Sequence, residues 1–230
     1  MEIQDTRSQE RLEFAVDPEH SALRLSVVGL FALFWIITYF VISVIIPTEG
    51  LNLIAIFISF IITAVVMQQV ERILKERWPS GRTLVATPEH IRLQKADEVQ
   101  QEIDTDQQVN VLLWRFKINK RSRIPKGWYM IACALEQEDI YLPFYTFVSP
   151  EDLEQLNSGG SFKQLITKKQ MDKDTASGQM DMRLAGEQRR LHTAETARWM
   201  HGAEMQNEDF QQMLAYLQEQ FPRWMPRIKA

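Results

Sequence analysis

Two long apolar runs dominate the hydrophobic pattern of this chain. They cover residues 25–46 and 51–70, and only residues 47–50 separate them. Helices of 22 and 20 residues are about 30 Å long, which is the thickness of the hydrocarbon core of a bilayer. The pattern therefore predicts a transmembrane helical hairpin over residues 25–70.

Two other origins of these runs fit the sequence less well. A buried helix of a soluble protein is usually shorter and carries a polar stripe, whereas residues 27–46 contain no ionisable side chain. The apolar part of a secretory signal peptide has about 7–15 residues, and here a second run follows the first at once. The runs therefore indicate an integral membrane protein.

Basic residues lie outside the hairpin at both ends. They are Arg7, Arg11, Arg24, Arg72, Lys75, Arg77 and Arg82. The connector carries Glu49 and no positive charge. Because basic flanking residues stay on the cytoplasmic side, we expect a multi-pass protein of the bacterial plasma (inner) membrane with both termini cytoplasmic. Residues 1–24 are then a cytoplasmic N-terminal segment.

Small residues recur on one side of each predicted span. They are Ser26, Gly29 and Ala32 in the first span and Ala55, Ser59 and Thr63 in the second. Such residues let helix backbones approach closely, so these faces are expected to pack the hairpin on itself. Homodimerisation or docking against a larger membrane complex is the alternative use. A transporter or channel is not expected, because the spans lack ionisable residues facing a pathway.

Short strand-like runs follow the hairpin. Residues 71–82 are predicted to continue as a juxtamembrane helix, which a Pro-Ser-Gly sequence ends. Ser149 begins a short capped helix. A change of phase between Leu113 and Trp114 predicts a bulge or bend in one strand. About six strands are predicted in all, at residues 83–87, 91–95, 98–103, 109–118, 128–135 and 140–142.

This order resembles bacterial membrane proteins with two transmembrane helices and a cytoplasmic pleckstrin-homology-like (PH-like) domain. The likeness rests on the opening strand pair, on the strand around Trp114, and on the ending at residues 140–144 before the capped helix. It implies an α+β chain, in which a small, partly open β-barrel at residues 83–157 is capped by a helix and followed by a helical tail. It also implies a binding or assembly role. The full PH-like fold has seven strands, one more than the count here.

A basic stretch interrupts the predicted domain. It comprises Arg115, Lys117, Lys120, Arg121, Arg123 and Lys126, with no acidic residue among them. An anionic leaflet attracts such charges by about 1 kcal/mol each, so the stretch is predicted to dock on lipid headgroups or on an acidic partner. A solvated loop is the alternative. Nucleic acid is not expected, because no aromatic platform is interleaved with the charges and the net charge is −4.

The C-terminal third is predicted to be a flexible linker at residues 158–182 and a helical tail at residues 183–230. One tail helix has an apolar face formed by Phe210, Met213, Leu214, Leu217 and Phe221. We expect this face to bind a protein partner. Packing on the domain, or lying in the membrane interface, are the alternatives.

The titratable residues form no recognisable catalytic motif. The four histidines, His20, His90, His192 and His201, are scattered, and the acids at Asp104 and Asp106 have no further ligand cluster nearby. We therefore predict neither an enzyme nor a metal or cofactor site, and a core position for the single Cys133. The predicted function is a membrane-anchored scaffold, sensor or interaction module. An accessory subunit of a larger membrane complex is the alternative.

Overall fold

The computed structural model describes residues 11–18, 20–48, 50, 52–119, 123–156, 160–176 and 181–225. The chain divides into two compact units. One is a helical hairpin formed by Asp17–Ser80. The other, which we call the β-rich domain, combines the residues before Asp17 with those from Gly81 onward. The α+β class is as predicted, because most strands follow one another without an intervening helix and pair antiparallel.

The hairpin consists of α1 (Ser21–Ile45) and α2 (Leu53–Arg77). Within them, the segments Ala22–Ile45 and Leu53–Lys75 are long and apolar enough to cross a membrane, and most of their side chains are exposed. A core helix of a soluble protein would bury such residues. The length, composition and exposure of both helices therefore favour a membrane location.

Asn52 closes the connector between the two helices. Its Oδ1 accepts a hydrogen bond from the backbone N–H of Ala55 at 2.9 Å, and its Nδ2 donates to the carbonyl of Ile46 at 2.6 Å. One amide side chain thus satisfies the first turn of α2 and the end of α1. This accounts for the tight turn between two apolar helices.

The predicted packing face is correct on α2 and wrong on α1. On α2, Ala55, Ser59 and Thr63 are fully buried. On α1, Gly29 and Ala32 are exposed, Ser26 is half-buried, and a Cβ added at Gly29 meets no atom within 4 Å. Bulky residues of α1 pack instead, including Phe31 and Trp35, whose rings lie 5.5 and 6.1 Å from the ring of Phe60. A shallow face on one helix accommodates a ridge on the other, so two shallow faces need not meet.

The β-rich domain contains two sheets. The first has the order β1-β2-β3-β4, is antiparallel throughout, and consists of β1 (Leu12–Ala15), β2 (Arg82–Ala86), β3 (His90–Lys95) and β4 (Glu98–Asp104). The second has the order β8-β5-β6-β7-β9 and consists of β5 (Asn110–Lys117), β6 (Tyr129–Gln137), β7 (Ile140–Val148) and the short parallel additions β8 (Lys163–Gln164) and β9 (Ala203–Glu204). The six predicted strands after the hairpin are therefore present. Five agree to within two residues at each end, whereas β7 continues through Pro143 to Val148, six residues beyond its predicted end.

Strand β1 was not predicted. It lies before the hairpin and pairs with β2, with Leu12 opposite Ala86 and Ala15 opposite Thr83. Phe14 and the following Val16 are 5% and 2% exposed and belong to the core between the sheets. Residues 11–16 are thus part of the β-rich domain, and the hairpin is an insertion between the first two strands that the structure describes.

The predicted bulge at Leu113 and Trp114 is absent from β5. All eight residues of β5 pair with β6 in one continuous register. Leu113 belongs to the main core, whereas Trp114 belongs to a second core on the other face of the sheet. The apolar pattern changes phase because both faces of this strand are buried. No bulge is needed to explain the change.

Among the described residues, four helices complete the domain: α3 (Pro150–Leu156), α4 (Lys168–Ala176), α5 (Met182–His201) and α6 (Asn207–Gln220). The capped helix start is as predicted, since the backbone N–H of Asp152 donates to Ser149 Oγ at 3.1 Å. The predicted flexible linker contains β8 and α4. Helix α5 covers the outer face of the second sheet, where Leu191 and Ala194 meet Trp114.

The apolar face of α6 lies inside the domain. Phe210, Met213 and Leu217 are fully buried in the main core, and Leu214 and Phe221 pack against it. The chain itself therefore covers the face that we expected a protein partner to cover. The reason is that the two sheets leave an open side, and burying a complete helix face there removes both apolar surfaces from water.

Candidate binding cleft

An open cleft of about 810 Å³ lies between the edge strand β4, the β6–β7 turn and helix α5. Strand β4 contributes Val99, Gln100, Gln101 and Glu102; the turn contributes Asp139, Ile140 and Tyr141; and the helices contribute Lys168, His192, Thr193, Thr196, Ala197, Met200 and His201. Its volume is in the range of ligand-binding sites. We call it the β4–α5 cleft.

Two glutamine side chains join the two sheets, and one of them, Gln101, lines the cleft. Gln137 Nε2 donates to the carbonyl of Asp104 at 2.7 Å, and Gln137 Oε1 accepts from the backbone N–H of Asp104 at 3.1 Å. Gln101 Nε2 donates to the carbonyl of Tyr141 at 2.9 Å. These amides satisfy backbone groups that a neighbouring strand would otherwise pair.

The same contacts indicate how the edge of β4 is oriented. Both backbone groups of Asp104 point toward Gln137, away from β3. Because alternate residues of a strand direct their backbone groups to the same side, those of Glu102 point the same way. The cleft is thus bordered by the backbone of an edge strand, which can pair with an added extended chain.

Two buried polar atoms at the cleft have no hydrogen-bond partner among the described residues. They are Nε2 of His192 and Oε1 of Gln101. Buried polar groups are normally satisfied by protein, water or ligand. The His192 nitrogen can donate or accept a hydrogen bond, and the Gln101 oxygen can accept one. Together these two atoms suit a ligand with amide-like groups.

An ion pair between the buried Glu136 and the half-exposed Arg190 links α5 to the second sheet beside the cleft. Glu136 accepts hydrogen bonds from Arg190 Nη2 and, at 2.6 Å, from Tyr141 Oη. Burial by itself raises the pKa of Glu136, but the hydrogen bonds from Arg190 and Tyr141 outweigh it and hold the pKa below its usual value. Burial, and then the hydrogen bond to Glu136, raise the pKa of Tyr141 to about 12.

Replacing Arg190 with methionine is expected to reverse the contribution of Glu136 to the pH dependence of stability. In the native protein its lowered pKa stabilises the fold at neutral pH, and this contribution is lost as the pH falls through that pKa. Without Arg190 the buried carboxylate is poorly compensated, so the free energy of unfolding falls by about 1–3 kcal/mol at neutral pH. Part of this loss is recovered on acidification, because protonation then favours the folded state.

Urea unfolding of the full chain in detergent, at about pH 7 and about pH 5, measures this effect. Arg189→Met is the matched control, because Arg189 is an exposed neighbour on the same helix. Equal pH dependence in the Arg190→Met variant and the native chain would contradict the role assigned to this ion pair.

A second polar network lies under the C-terminal half of α5. Glu195 accepts from Trp114 Nε1 at 2.9 Å and from Arg198 through both carboxylate oxygens, at 2.7 and 2.8 Å. Arg198 also stacks over the ring of Tyr145, 4.7 Å from its centroid. These contacts attach the C-terminal half of α5 to the second sheet beside the cleft.

The described residues of the basic stretch do not lie on one surface. Arg115 lines a small depression with Tyr129 and the start of α3, and Lys117 lies 5.9 Å from the centroid of the Tyr129 ring. Arg123 turns to the other face of the sheet, where it forms an ion pair with Glu204 and lies over Phe147.

Lys126 is exposed in the loop, and Lys120 and Arg121 lie outside the described residues. The described basic residues are thus divided between two faces of the domain. Among them, the charge of Arg123 is already balanced by an acid of the same chain.

The remaining candidate residues have structural positions. Asp104 Oδ1 accepts from the backbone N–H of Asp106 at 2.9 Å, which is a turn contact, and no group of three or more metal-ligating side chains occurs within the described ranges. Cys133 is fully buried, and burial raises its thiol pKa far above the usual value. His20 caps α1 by accepting from the backbone N–H of Leu23 at 3.2 Å.

Comparison with models of known protein families, with curated proteins and with solved structures gave no match. The class of this protein therefore rests on its own features: two helices able to span a membrane and an α+β domain with an open cleft. Sequence reasoning missed the cleft, because its walls come from distant segments. His192 was considered only as a metal ligand, and no local signal placed it opposite an edge strand.

Proposed function

We propose that this protein is a membrane-anchored interaction module whose β4–α5 cleft holds an extended segment of a protein partner. The observation that carries the proposal is the cleft itself, which is open, ligand-sized and bordered by an edge strand. An extended peptide pairs with such an edge through its backbone and places alternate side chains in neighbouring pockets. The proposal assigns the chain no catalytic step.

Two features of the cleft support a peptide as the occupant. The orphaned atoms of His192 and Gln101 match amide groups of a peptide, and the exposed side chains of Val99 and Ile140 offer apolar contacts. The hairpin confines the cleft to the membrane surface, which raises its effective concentration for a partner that is also bound to the membrane. We further propose that both termini and the β-rich domain are cytoplasmic, as the distribution of basic residues predicts.

The order of strands supports a PH-like domain. Strands β1–β4 form one sheet and β5–β7 form the centre of the other, and a short helix, α3, follows. With β1 included, the count reaches the seven strands that the PH-like fold requires. In this proposal the hairpin is inserted between the first and second strands of the domain. Binding in a groove beside a sheet edge is compatible with the interaction role that the resemblance implies.

Site-specific photocross-linking of the full chain in intact cells tests the proposal. A photoreactive residue at Thr196, which lines the cleft, is expected to form a discrete adduct with a protein partner. The same residue at Arg189, exposed on α5 but outside the cleft, is the matched control and is expected to form none.

A blocking substitution completes the experiment. Thr193→Trp fills the cleft from the same helix and is expected to abolish the adduct at Thr196 without unfolding the domain, because Thr193 is exposed. An adduct of equal yield at both positions, or one that survives Thr193→Trp, would contradict binding in the cleft.

An accessory subunit of a larger membrane complex is the second candidate, and one observation favours it. The small residues Gly29 and Ala32 of α1 face away from α2 and leave space for another helix. Gentle extraction followed by native mass analysis distinguishes the candidates. A stoichiometric partner that Gly29→Leu removes would favour the subunit, and a homodimer removed by the same substitution would assign this face to self-association.

A further inference from the structure

Helix α5 ends in two large apolar side chains that face solvent. Trp199 is 82% exposed and Met200 is 65% exposed, although the opposite side of the helix is buried through Leu191 and Ala194. Tryptophan is highly buried on average in soluble proteins, so an exposed tryptophan beside an exposed methionine suggests a binding surface. Neither residue contributes to the cores of the domain.

Arg82 binds the C-terminal end of α5, next to Trp199 and Met200. Its Nη2 donates to the carbonyl of His201 at 2.8 Å and its Nη1 donates to that of Gly202 at 3.3 Å. A shallow depression beside the helix end is lined by Arg82, Lys95, Met200 and His201, together with two glutamines of β4. The exposed methionine thus lies among basic side chains, with a guanidinium at the negative end of the helix dipole.

The same arginine marks the point at which the chain leaves and re-enters the domain. Arg82 is the first residue of β2, and its carbonyl accepts from the backbone N–H of Val16, the last residue of the domain before the hairpin, at 3.1 Å. Only residues 78–81 separate it from the last residue of α2. Five peptide steps extend at most about 17 Å, so Arg82 is tethered close to the bilayer that α2 spans.

We propose that Trp199 and Met200 insert into the headgroup region of this bilayer, with Lys95 and His201 directed at anionic headgroups and Arg82 holding the end of α5 in place. This inference rests on the membrane anchor of the proposed function. Tryptophan prefers the membrane interface because its ring is apolar and its N–H needs a polar partner. Basic side chains near an anionic leaflet add an attraction that acts within about 8 Å at physiological salt.

Insertion would also orient the β4–α5 cleft. Met200 and His201 line both the cleft and the depression beside Arg82. With the end of α5 held at the headgroups, one end of the cleft lies at the membrane surface. A partner segment would then enter along the bilayer, which suits a partner that is itself a membrane protein.

Quenching by lipid nitroxides tests the insertion. The full chain carrying Met200→Cys is labelled with an environment-sensitive fluorophore and placed in nanodiscs of phosphatidylcholine and phosphatidylglycerol, some of which carry a nitroxide near the headgroup. The native Cys133 is fully buried and does not compete for the label. The matched control is Arg189→Cys, exposed eleven residues earlier on the same helix.

We expect severalfold stronger quenching at position 200 than at position 189, and a blue-shifted emission at position 200 only. Adding Trp199→Ser is expected to reduce the quenching at position 200 at least in part, without changing the urea midpoint, since Trp199 is exposed. Equal quenching at the two positions would overturn the inference, as would an exposed label in nanodiscs that only a protein partner protects in cells.

The quenching experiment and the cross-linking experiment test the lipid contact and the binding cleft separately. Loss of quenching at position 200 with an intact cross-link at Thr196 would remove the lipid contact and leave the interaction module. A chain that does not float with the nanodiscs would overturn both, because both require the membrane anchor.

Discussion

A chain in which a short glycine-serine linker replaces residues 17–80 is expected to fold as a soluble β-rich domain, whereas a chain that begins at Gly81 is not expected to be stable. The linker variant keeps β1. The hydrogen bond of 3.1 Å from the backbone N–H of Val16 to the carbonyl of Arg82 shows that the two ends of the domain to be joined are adjacent. The truncated chain loses the burial of Phe14 and Val16. Each contributes about 1.5–3 kcal/mol, so the loss is about 3–6 kcal/mol, a large part of the stability of a domain.

Urea unfolding followed by tryptophan fluorescence compares the two chains. Two substitutions in the linker variant provide the matched pair. Phe14→Ala is expected to lower the unfolding midpoint strongly, and Glu13→Ala, on the exposed side of the same strand, is expected to leave it nearly unchanged. If the chain beginning at Gly81 were as stable as the linker variant, β1 would not be part of the domain.

The substitution Phe210→Ala is expected to cost about 3–5 kcal/mol of unfolding free energy in the full chain. Phe210 is fully buried, and its ring centroid lies 5.5 Å from that of Phe144 and 6.4 Å from that of Phe162. Truncation therefore leaves a cavity at the meeting point of α6, β7 and the segment before β8. A helix that served only a protein partner would show no such loss in the isolated protein.

Thermal and urea unfolding in detergent, followed by circular dichroism, measure the loss. Gln211→Ala changes the next residue on the exposed side of α6 and is expected to shift the midpoint little. Similar midpoints for Phe210→Ala and Gln211→Ala would mean that α6 is not packed in solution. The partner-binding role first expected for this face would then be the better account.

Local patterns predicted the elements of this protein well. The hairpin, the strands from β2 to β7 and the apolar face of α6 follow from periodicity and from turn residues, which act over a few residues. Strand β1 was within reach of the same reasoning. Leu12, Phe14 and Val16 alternate with Glu13 and Ala15, but a segment before a membrane span is easily assigned to a leader or anchor.

The predictions were wrong where they depended on which surfaces of the chain lie against each other. In β5 the change of phase was interpreted as a bulge, because nothing local showed that α5 would cover the outer face at Trp114. On α1 the small residues were assigned to the hairpin contact, but the bulky side at Phe31 fits the shallow face of α2 better. The sequence groups Arg115 and Arg123 in one basic stretch, whereas the strand and loop direct these two side chains to different faces of the sheet.

The sequence by itself determined that the chain has two segments able to span a membrane, a strand-rich middle and an amphipathic final helix, because each is specified by the polarity of neighbouring residues. Only the tertiary structure decided that residues before the hairpin complete the first sheet, that α6 closes the main core, and that α5 stands opposite β4 to form the cleft. Those choices depend on which buried faces complement one another in shape and hydrogen bonding. Contacts between residues far apart in the chain determine which faces pack together, and the local sequence pattern does not predict those contacts.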